Sequence, residues 1–362
     1  MKTPIRLLLL ALVLLTGASI IHAQADVQSE LDTFIDENVP ADGPAVAARI
    51  SIGKETWAAA GGLVDTSGSI AAAPDAHFRI ASMSKTWLAV TVMQLRDKGL
   101  LSLDDAASKW LPEEITSNIA NADVATVRQL LMMRSGIPEY LEDDFFNAVS
   151  DDPGHAWTPE EALQFAYGLP PSFAPDEGFE YCNTNYVLLQ LIVEAAAGKP
   201  MYQVMREQIF TPLGLKDTYV QVQEKGAAFV HGYEDFDGDG QVDDLTTVND
   251  GAGLGDGALI STTADLTRFY RGVFVDHQIL SAESVQEMID AGDNADEYGI
   301  GVEVSNGQYG LTLGHTGAVL GFTGAVYYAQ DLDAVVVILY GSDGMDTAHV
   351  EDLLQIAAEA AQ

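Results

Sequence analysis

Residues 82–99 read SMSKTWLAVTVMQLRDKG. Met83, Trp87, Leu88, Val90, Val92, Met93 and Leu95 fall on several faces of a helix, and Gly99 stands where a helix closes. The spacing therefore predicts a helix from Ser82 to Lys98 that is buried nearly all round. At its start, Ser82 and Lys85 are three residues apart and share a face. Ser82 is expected to meet the positive end of the helix dipole, which favours developing negative charge. Burial disfavours the charged form of an amine, so Lys85 is a candidate base for the neighbouring hydroxyl. The same S-x-x-K spacing recurs at Ser51-Ile52-Gly53-Lys54, but there it straddles a predicted hairpin turn, where the two side chains need not converge. By itself, Ser82 reads equally well as a helix N-cap, and a chain this rich in serine yields about one S-x-x-K by chance.

Upstream, Ala45–Ile52 and Glu55–Ala60 read as strands joined at Gly53-Lys54. Before them, Leu31, Phe34, Ile35 and Val39 recur at helical spacing, with Ser29 as the expected N-cap. Downstream, residues 100–230 read as helices punctuated by Pro and Gly loops. Strand patterns return at Tyr298–Val304, Leu311–Leu313, Gly324–Ala329 and Ala334–Tyr340, and Val350, Leu353, Leu354 and Ala357 mark a last amphipathic helix. Strands at both chain ends around a helical middle predict an α/β fold of the α+β type. One antiparallel sheet, built from both ends and flanked by helices, would carry an inserted, mainly helical lobe. We expect a single domain over residues 26–362, with the sheet lobe at 26–80 and 250–362 and the helical lobe at 81–249.

The chain has 362 residues, 48% apolar and 20% charged, which suits a globular protein with a sizeable core. Asp and Glu number 54 against 17 Lys and Arg, a net charge of −37. Nucleic-acid backbones and anionic membrane surfaces are excluded as partners, since both need Lys and Arg. Such acidity suits a salty habitat or solubility alone, and composition does not separate the two. A single cysteine, Cys182, excludes an intrachain disulfide framework. Residues 1–25 read as a signal peptide: Lys2 and Arg6, an apolar run from Leu7 to Ile21, then Ala23-Gln24-Ala25 as cleavage site. The expectation is an exported protein, periplasmic or extracellular, with no stable membrane insertion after cleavage and no cysteine to carry a lipid anchor.

No G-x-S-x-G, H-E-x-x-H or Walker A motif occurs. Gly251, Gly253, Gly255 and Gly257 miss dinucleotide-binding spacing and read as a tightly turning loop. After Ser82 and Lys85 come Tyr181-Cys182-Asn183, at the entry to a predicted helix, and His315-Thr316-Gly317 at the end of a strand-like run. In this order the three elements resemble the penicillin-recognising serine hydrolase superfamily of class C β-lactamases, D-alanyl-D-alanine carboxypeptidases and related esterases. The segments LLMMRSGIPEY (Leu130–Tyr140), YCNTNYVLLQ (Tyr181–Gln190), IFTPLGLKDT (Ile209–Thr218) and LISTTADL (Leu259–Leu266) extend the resemblance over nearly all of the mature chain.

The resemblance implies a β-lactamase/transpeptidase-like fold. It implies Ser82 as acyl-accepting nucleophile, Lys85 as its base and Tyr181 as proton shuttle to the leaving group. Asn183, His315, Thr316, Gly317 and Ala318 would bind substrate, with the backbone N–H groups of Ser82 and Ala318 as the oxyanion hole, worth about 3 kcal/mol per donor. Read singly, Tyr181 is a packed aromatic, Asn183 a helix N-cap and His315 a histidine at a sheet edge. Many members of the superfamily have Lys where His315 stands, and members that bind carboxylates often have Ser or Thr where Ala318 stands. Both departures weaken the grip on a substrate carboxylate. Cys182 reads as a small buried residue.

The implied activity is a D-alanyl-D-alanine carboxypeptidase-like hydrolase of D-amino-acid peptides or amides, with esterase or weak β-lactamase activity as the alternative. A catalytically idle peptidoglycan-binding relative is the non-enzymatic alternative. The expected partner is a small peptide, amide or ester, such as a peptidoglycan stem peptide. Catalysis would need no cofactor. Asp235, Asp237, Asp239, Gln241 and Asp243, with Gly240 at the turn, match most of an EF-hand-type loop and predict a structural Ca²⁺ site, although Thr246 stands where the bidentate Glu belongs.

Overall fold

The computed structural model describes residues 26–236, 238–292, 297–343, 346 and 348–361. The proposed signal peptide lies outside them. Six strands form one antiparallel sheet: β1 (Val46–Ile52), β2 (Glu55–Gly61), β3 (Glu303–Gly307), β4 (Gly310–Val319), β5 (Phe322–Ala329) and β6 (Ala334–Tyr340), in the order β2-β1-β6-β5-β4-β3. The first and last strands of the chain, β1 and β6, lie side by side with Val46 opposite Tyr340 and Ile52 opposite Ala334. The two termini thus close one sheet, as the patterning predicts.

Every residue of β6 is buried, which explains why AVVVILY is apolar without alternation: both faces of this strand are covered. Val336, Ile338 and Tyr340 meet α1 (26–38) and the last helix (His349–Ala360) through Val27, Leu31, Ile35, Leu353 and Leu354. Val335, Val337 and Leu339 face the larger core, which reaches into the helical lobe. At its centre is α2 (Ser84–Asp97), buried from Ser84 to Leu95, with Trp87 stacked on Phe269 at 3.8 Å. Beside it runs α3 (Thr184–Ala197), closed by Gly198 at a φ of +64°.

Local expectations are corrected in three places. Ser29 is not an N-cap, because α1 already includes residues 26–28 and buries Val27 one turn before Leu31. The segment from Tyr298 is not extended. It turns over Gly299 and Gly301 (φ +68°), so the strand begins only at Glu303. Its apolar alternation instead buries Ile300 and Val302, while the Gly301 carbonyl accepts from Thr86 Oγ1 at 2.7 Å. Finally, the strand read as Leu311–Leu313 continues to Val319. Its polar residues are served by the neighbouring strand, where Glu303 Oε1 accepts from the Thr316 N–H and hydroxyl.

Candidate active site

Ser82 stands where a short strand runs into α2. Phe78–Arg79 pairs with Leu259–Ser261, Ala81 takes a φ of +48°, and a single 3-10 turn, Ala81–Met83, leads into the helix. A positive φ on a residue with a Cβ costs about 1–2 kcal/mol. Here it swings strand into helix within a few residues and leaves Ser82 on the wall of a cavity of about 640 Å³. A Cβ on Gly317 would lie 2.7 Å from the Ile80 carbonyl, so glycine is what lets β4 approach this turn so closely. The helix proper starts at Ser84 rather than Ser82, and neither it nor the 3-10 turn has a side-chain cap. Capping therefore does not account for Ser82.

Lys85 is fully buried. Its Nζ lies 2.9 Å from Ser82 Oγ, 2.7 Å from Asn183 Oδ1 and 2.8 Å from the Asp256 carbonyl oxygen. Amide and peptide oxygens only accept hydrogen bonds. When the amine is unprotonated, its two N–H bonds are therefore taken by Asn183 and Asp256, and the lone pair faces Ser82 Oγ. This arrangement offers a proton path from hydroxyl to amine. The other S-x-x-K behaves differently: Ser51 is buried within β1, and Lys54 is exposed on the turn.

Each contact of Lys85 is delivered by a different element. Asn183 occupies the N-cap position of α3 but caps nothing; its Nδ2 donates to Glu139 Oε2 at 3.0 Å instead. The Asp256 carbonyl comes from the loop with alternating glycines. A Cβ on Gly255 would meet the Tyr186 carbonyl at 2.4 Å, so this loop packs onto α3 only with glycine there. The Asp256 carboxyl is itself buried: Oδ2 accepts from the Tyr140 hydroxyl at 3.0 Å, and Oδ1 has no hydrogen-bond partner. Burial, opposed by the charge of Lys85, pushes this carboxyl up to about 6. Tyr181 is 39% exposed and lines the cavity with its ring centroid 5.0 Å from Lys85 Nζ.

Thr316, Gly317 and Ala318 line the same cavity, but His315 does not. The expectation that His315 contacts substrate is corrected: it is 1% exposed, packed behind Tyr181 with ring centroids 6.2 Å apart. Its Nδ1 lies 2.5 Å from the Thr316 carbonyl oxygen, which can only accept, so Nδ1 carries the proton. Nε2 of the neutral ring then accepts from the Tyr298 hydroxyl at 3.0 Å. Burial, only partly opposed by Glu303, holds His315 below the ordinary imidazole value, so it is neutral at pH 7.

The cavity wall is acidic. Glu234, Asp250, Asp256, Glu303 and Asp343 line it, and among the described lining residues Arg79 is the one cation. Arg79 is itself buried, with Nη1 3.8 Å from Asp250 Oδ1. Burial and the neighbouring Asp343 push Glu234 up to about 7. Cys182 is buried, and burial raises its thiol far above the ordinary range.

Glu139, Tyr140, Asp256, Tyr298 and Arg79 were not singled out from the sequence. Glu139 and Tyr140 lie inside LLMMRSGIPEY, and Asp256 lies within the alternating glycines, so both regions carried a signal without naming a residue. In the acidic hairpin, Tyr233–Glu234 pairs with Asp243–Asp244. The Gly240 N–H donates to Asp235 Oδ2 at 3.0 Å, and the Gln241 N–H to Asp239 Oδ1 at 2.8 Å. Asp237 lies outside the described residues, and among those described no group of three or more His, Cys, Asp or Glu could hold a metal ion. None of the described helices is long and apolar enough to cross a membrane.

Residues 32–361 match the family described as Beta-lactamase. Penicillin-binding protein 4* of Bacillus subtilis (strain 168) is 30% identical over 305 residues, covering 78% of this chain and 64% of that protein. Protein flp of Staphylococcus aureus (strain MW2) is 29% identical over 213 residues, 58% of this chain and 42% of its own length. The chain thus spans less than two-thirds of these curated relatives. Among solved structures, D-amino acid amidase from Ochrobactrum anthropi SV3 complexed with L-phenylalanine superposes with a TM-score of 0.77 at 26% identity, covering 93% of this chain and 98% of that one. D-stereospecific amidohydrolase from Streptomyces sp. gives the same values. With the sheet, the serine turn and a family match running almost from end to end, the chain belongs to the beta-lactamase family.

Proposed function

We propose that the protein is exported and hydrolyses D-amino-acid peptides or amides through an acyl-enzyme on Ser82. The observation that carries this reading is the placement of Lys85 Nζ, 2.9 Å from Ser82 Oγ and held by two oxygens that can only accept. In the first step the Ser82 proton passes to Lys85 Nζ while Oγ bonds to the carbonyl carbon. The resulting oxyanion is held by the backbone N–H groups of Ser82 and Ala318. Collapse breaks the C–N bond, and the departing amine takes a proton relayed from Lys85 through Tyr181. Water then adds to the acyl-enzyme by the reverse sequence, releasing the acid and restoring the Ser82 hydroxyl.

Within that class, the cavity favours uncharged or cationic substrates over those ending in a carboxylate. Five acidic side chains face the space, the nearest arginine is opposed by Asp250, and neutral His315 is buried behind Tyr181. A carboxypeptidase substrate would bring its anion into this field, whereas an amide or a free ammonium would not. The structural likeness to proteins named D-amino acid amidase and D-stereospecific amidohydrolase supports the amide side. Esters, which also lack the anion, are the second reading.

A hydrolysis panel tests this: a D-amino-acid amide, a D-Ala-D-Ala peptide, nitrocefin and a short-chain p-nitrophenyl ester, each with wild type and Ser82→Ala. We expect hydrolysis of the amide or ester above the D-Ala-D-Ala peptide, lost by about 10³-fold or more in Ser82→Ala. Absence of all four activities, together with no fluorophosphonate labelling of Ser82, overturns the proposal. Amino-terminal sequencing of protein recovered outside the cytoplasm tests export, with Asp26 expected as the first residue.

A further inference from the structure

We propose that Glu139 is a positioning residue for the Ser82 reaction, setting the orientation of the Asn183 amide and through it the direction of the Lys85 lone pair. The proposal rests on the reading of Lys85 as the base for Ser82.

Glu139 is half-buried and accepts four N–H donors. Oε1 takes the backbone N–H of Tyr140 at 2.7 Å and of Leu141 at 3.0 Å, which pins the carboxylate to its own loop. Oε2 takes the Asn183 backbone N–H at 2.6 Å and Asn183 Nδ2 at 3.0 Å. Among the described residues no Lys, Arg or His forms an ion pair with it, and these four N–H groups are what hold its two oxygens in place. A carboxylate offers only acceptors. The Asn183 amide must therefore turn its nitrogen towards Glu139, which leaves Oδ1 facing Lys85 Nζ at 2.7 Å.

The reverse amide orientation would be harmful in two ways. Oδ1 would face the Glu139 carboxylate, acceptor against acceptor. The amide N–H would meet Lys85, where it can donate to the lone pair and draw it away from Ser82 Oγ. Glu139 thus sets the proton path without touching Ser82 or the substrate.

Glu139→Gln keeps the size and one carbonyl oxygen but introduces an NH₂ group that favours the reversed amide. The test measures the rate of Ser82 acylation by a fluorophosphonate in wild type, Glu139→Gln, Asn183→Ala and the double variant. Unfolding midpoints are recorded alongside. We expect Glu139→Gln to acylate about 10- to 100-fold more slowly, the size of a small misplacement of reacting groups. In the Asn183→Ala background the same substitution should change the rate by less than about twofold, because the group it acts through is gone. A purely structural role for Glu139 would give the same loss in both backgrounds, and that result overturns the proposal. So does a wild-type rate in Glu139→Gln. If wild type itself fails to acylate at Ser82, the reading of Lys85 fails first and this inference falls with it.

Discussion

Replacing Lys85 by methionine separates what the amine does for chemistry from what it does for stability. The side chain keeps its length and loses its donors. Removing a general base costs about 10²–10⁴-fold in rate, and the lone pair aimed at Ser82 Oγ is the only proton acceptor on the amine once its N–H bonds serve Asn183 and Asp256. Folding responds to two opposed effects. Asn183 Oδ1 and the Asp256 carbonyl lose a donor, and each unsatisfied buried acceptor costs about 1–3 kcal/mol. Against this, the variant no longer buries the polar amine, whose desolvation costs about 2 kcal/mol or more. The Asp256 carboxyl, already raised to about 6, takes up a proton rather than remaining as an unpaired buried charge. The two effects nearly cancel, so urea unfolding at pH 7 should move by less than about 2 kcal/mol. Acylation by a fluorophosphonate should fall about 10³-fold. Labelling within about threefold of wild type would refute the proton path. A stability loss above about 4 kcal/mol would show that Lys85 is chiefly a structural strut.

Asp256→Asn bears on pH. The folded carboxyl is raised to about 6 from the ordinary aspartate value near 3.8, so the native state binds this proton more tightly than the unfolded chain, and its contribution falls as pH rises through about 6. The stability difference between wild type and Asp256→Asn should shift against wild type by about 3 kcal/mol between pH 3.5 and pH 8; a difference flat with pH would refute the assignment. Glu234 loses its proton near pH 7, adding negative charge to the cavity wall. KM for an amide bearing a permanent cation should therefore fall between pH 6 and pH 8 in wild type and stay flat in Glu234→Gln; a parallel fall in both would place the titration elsewhere. Cys182 should resist iodoacetamide in the native protein and react only on unfolding, since burial keeps its thiol protonated. Stoichiometric labelling of native protein, followed by mass spectrometry, would contradict its placement.

The parts of the fold legible in the sequence are those where a single local pattern meets a single environment. AVVVILY reads as a strand covered on both faces and is one, and the helix through Trp87 reads as buried all round and is. Where a pattern had two solutions, the wrong one was open. Tyr298, Ile300 and Val302 alternate as a strand would, yet Gly299 and Gly301 turn the chain there. His315 and Thr316 look like a strand's end because the side-chain partners of their polar groups, Tyr298 and Glu303, come from the adjacent strand and the turn that leads into it.

For the site, one-dimensional spacing placed Ser82 and Lys85 together, because residues three apart across a helical start are neighbours whatever the rest of the chain does. It also separated them from Ser51 and Lys54, because a hairpin turn makes no such demand. Direction is a different matter. Which way the Lys85 lone pair points depends on the Asn183 amide, the Asp256 carbonyl and, behind Asn183, the Glu139 carboxylate. Those groups come from segments 44 to 171 residues apart in the chain, and hydrogen-bond direction is set by where acceptors lie in space rather than by their order along it. Residue types and local spacing were enough to name a hydroxyl and an amine; only packing three distant loops around that amine decided where its proton can go.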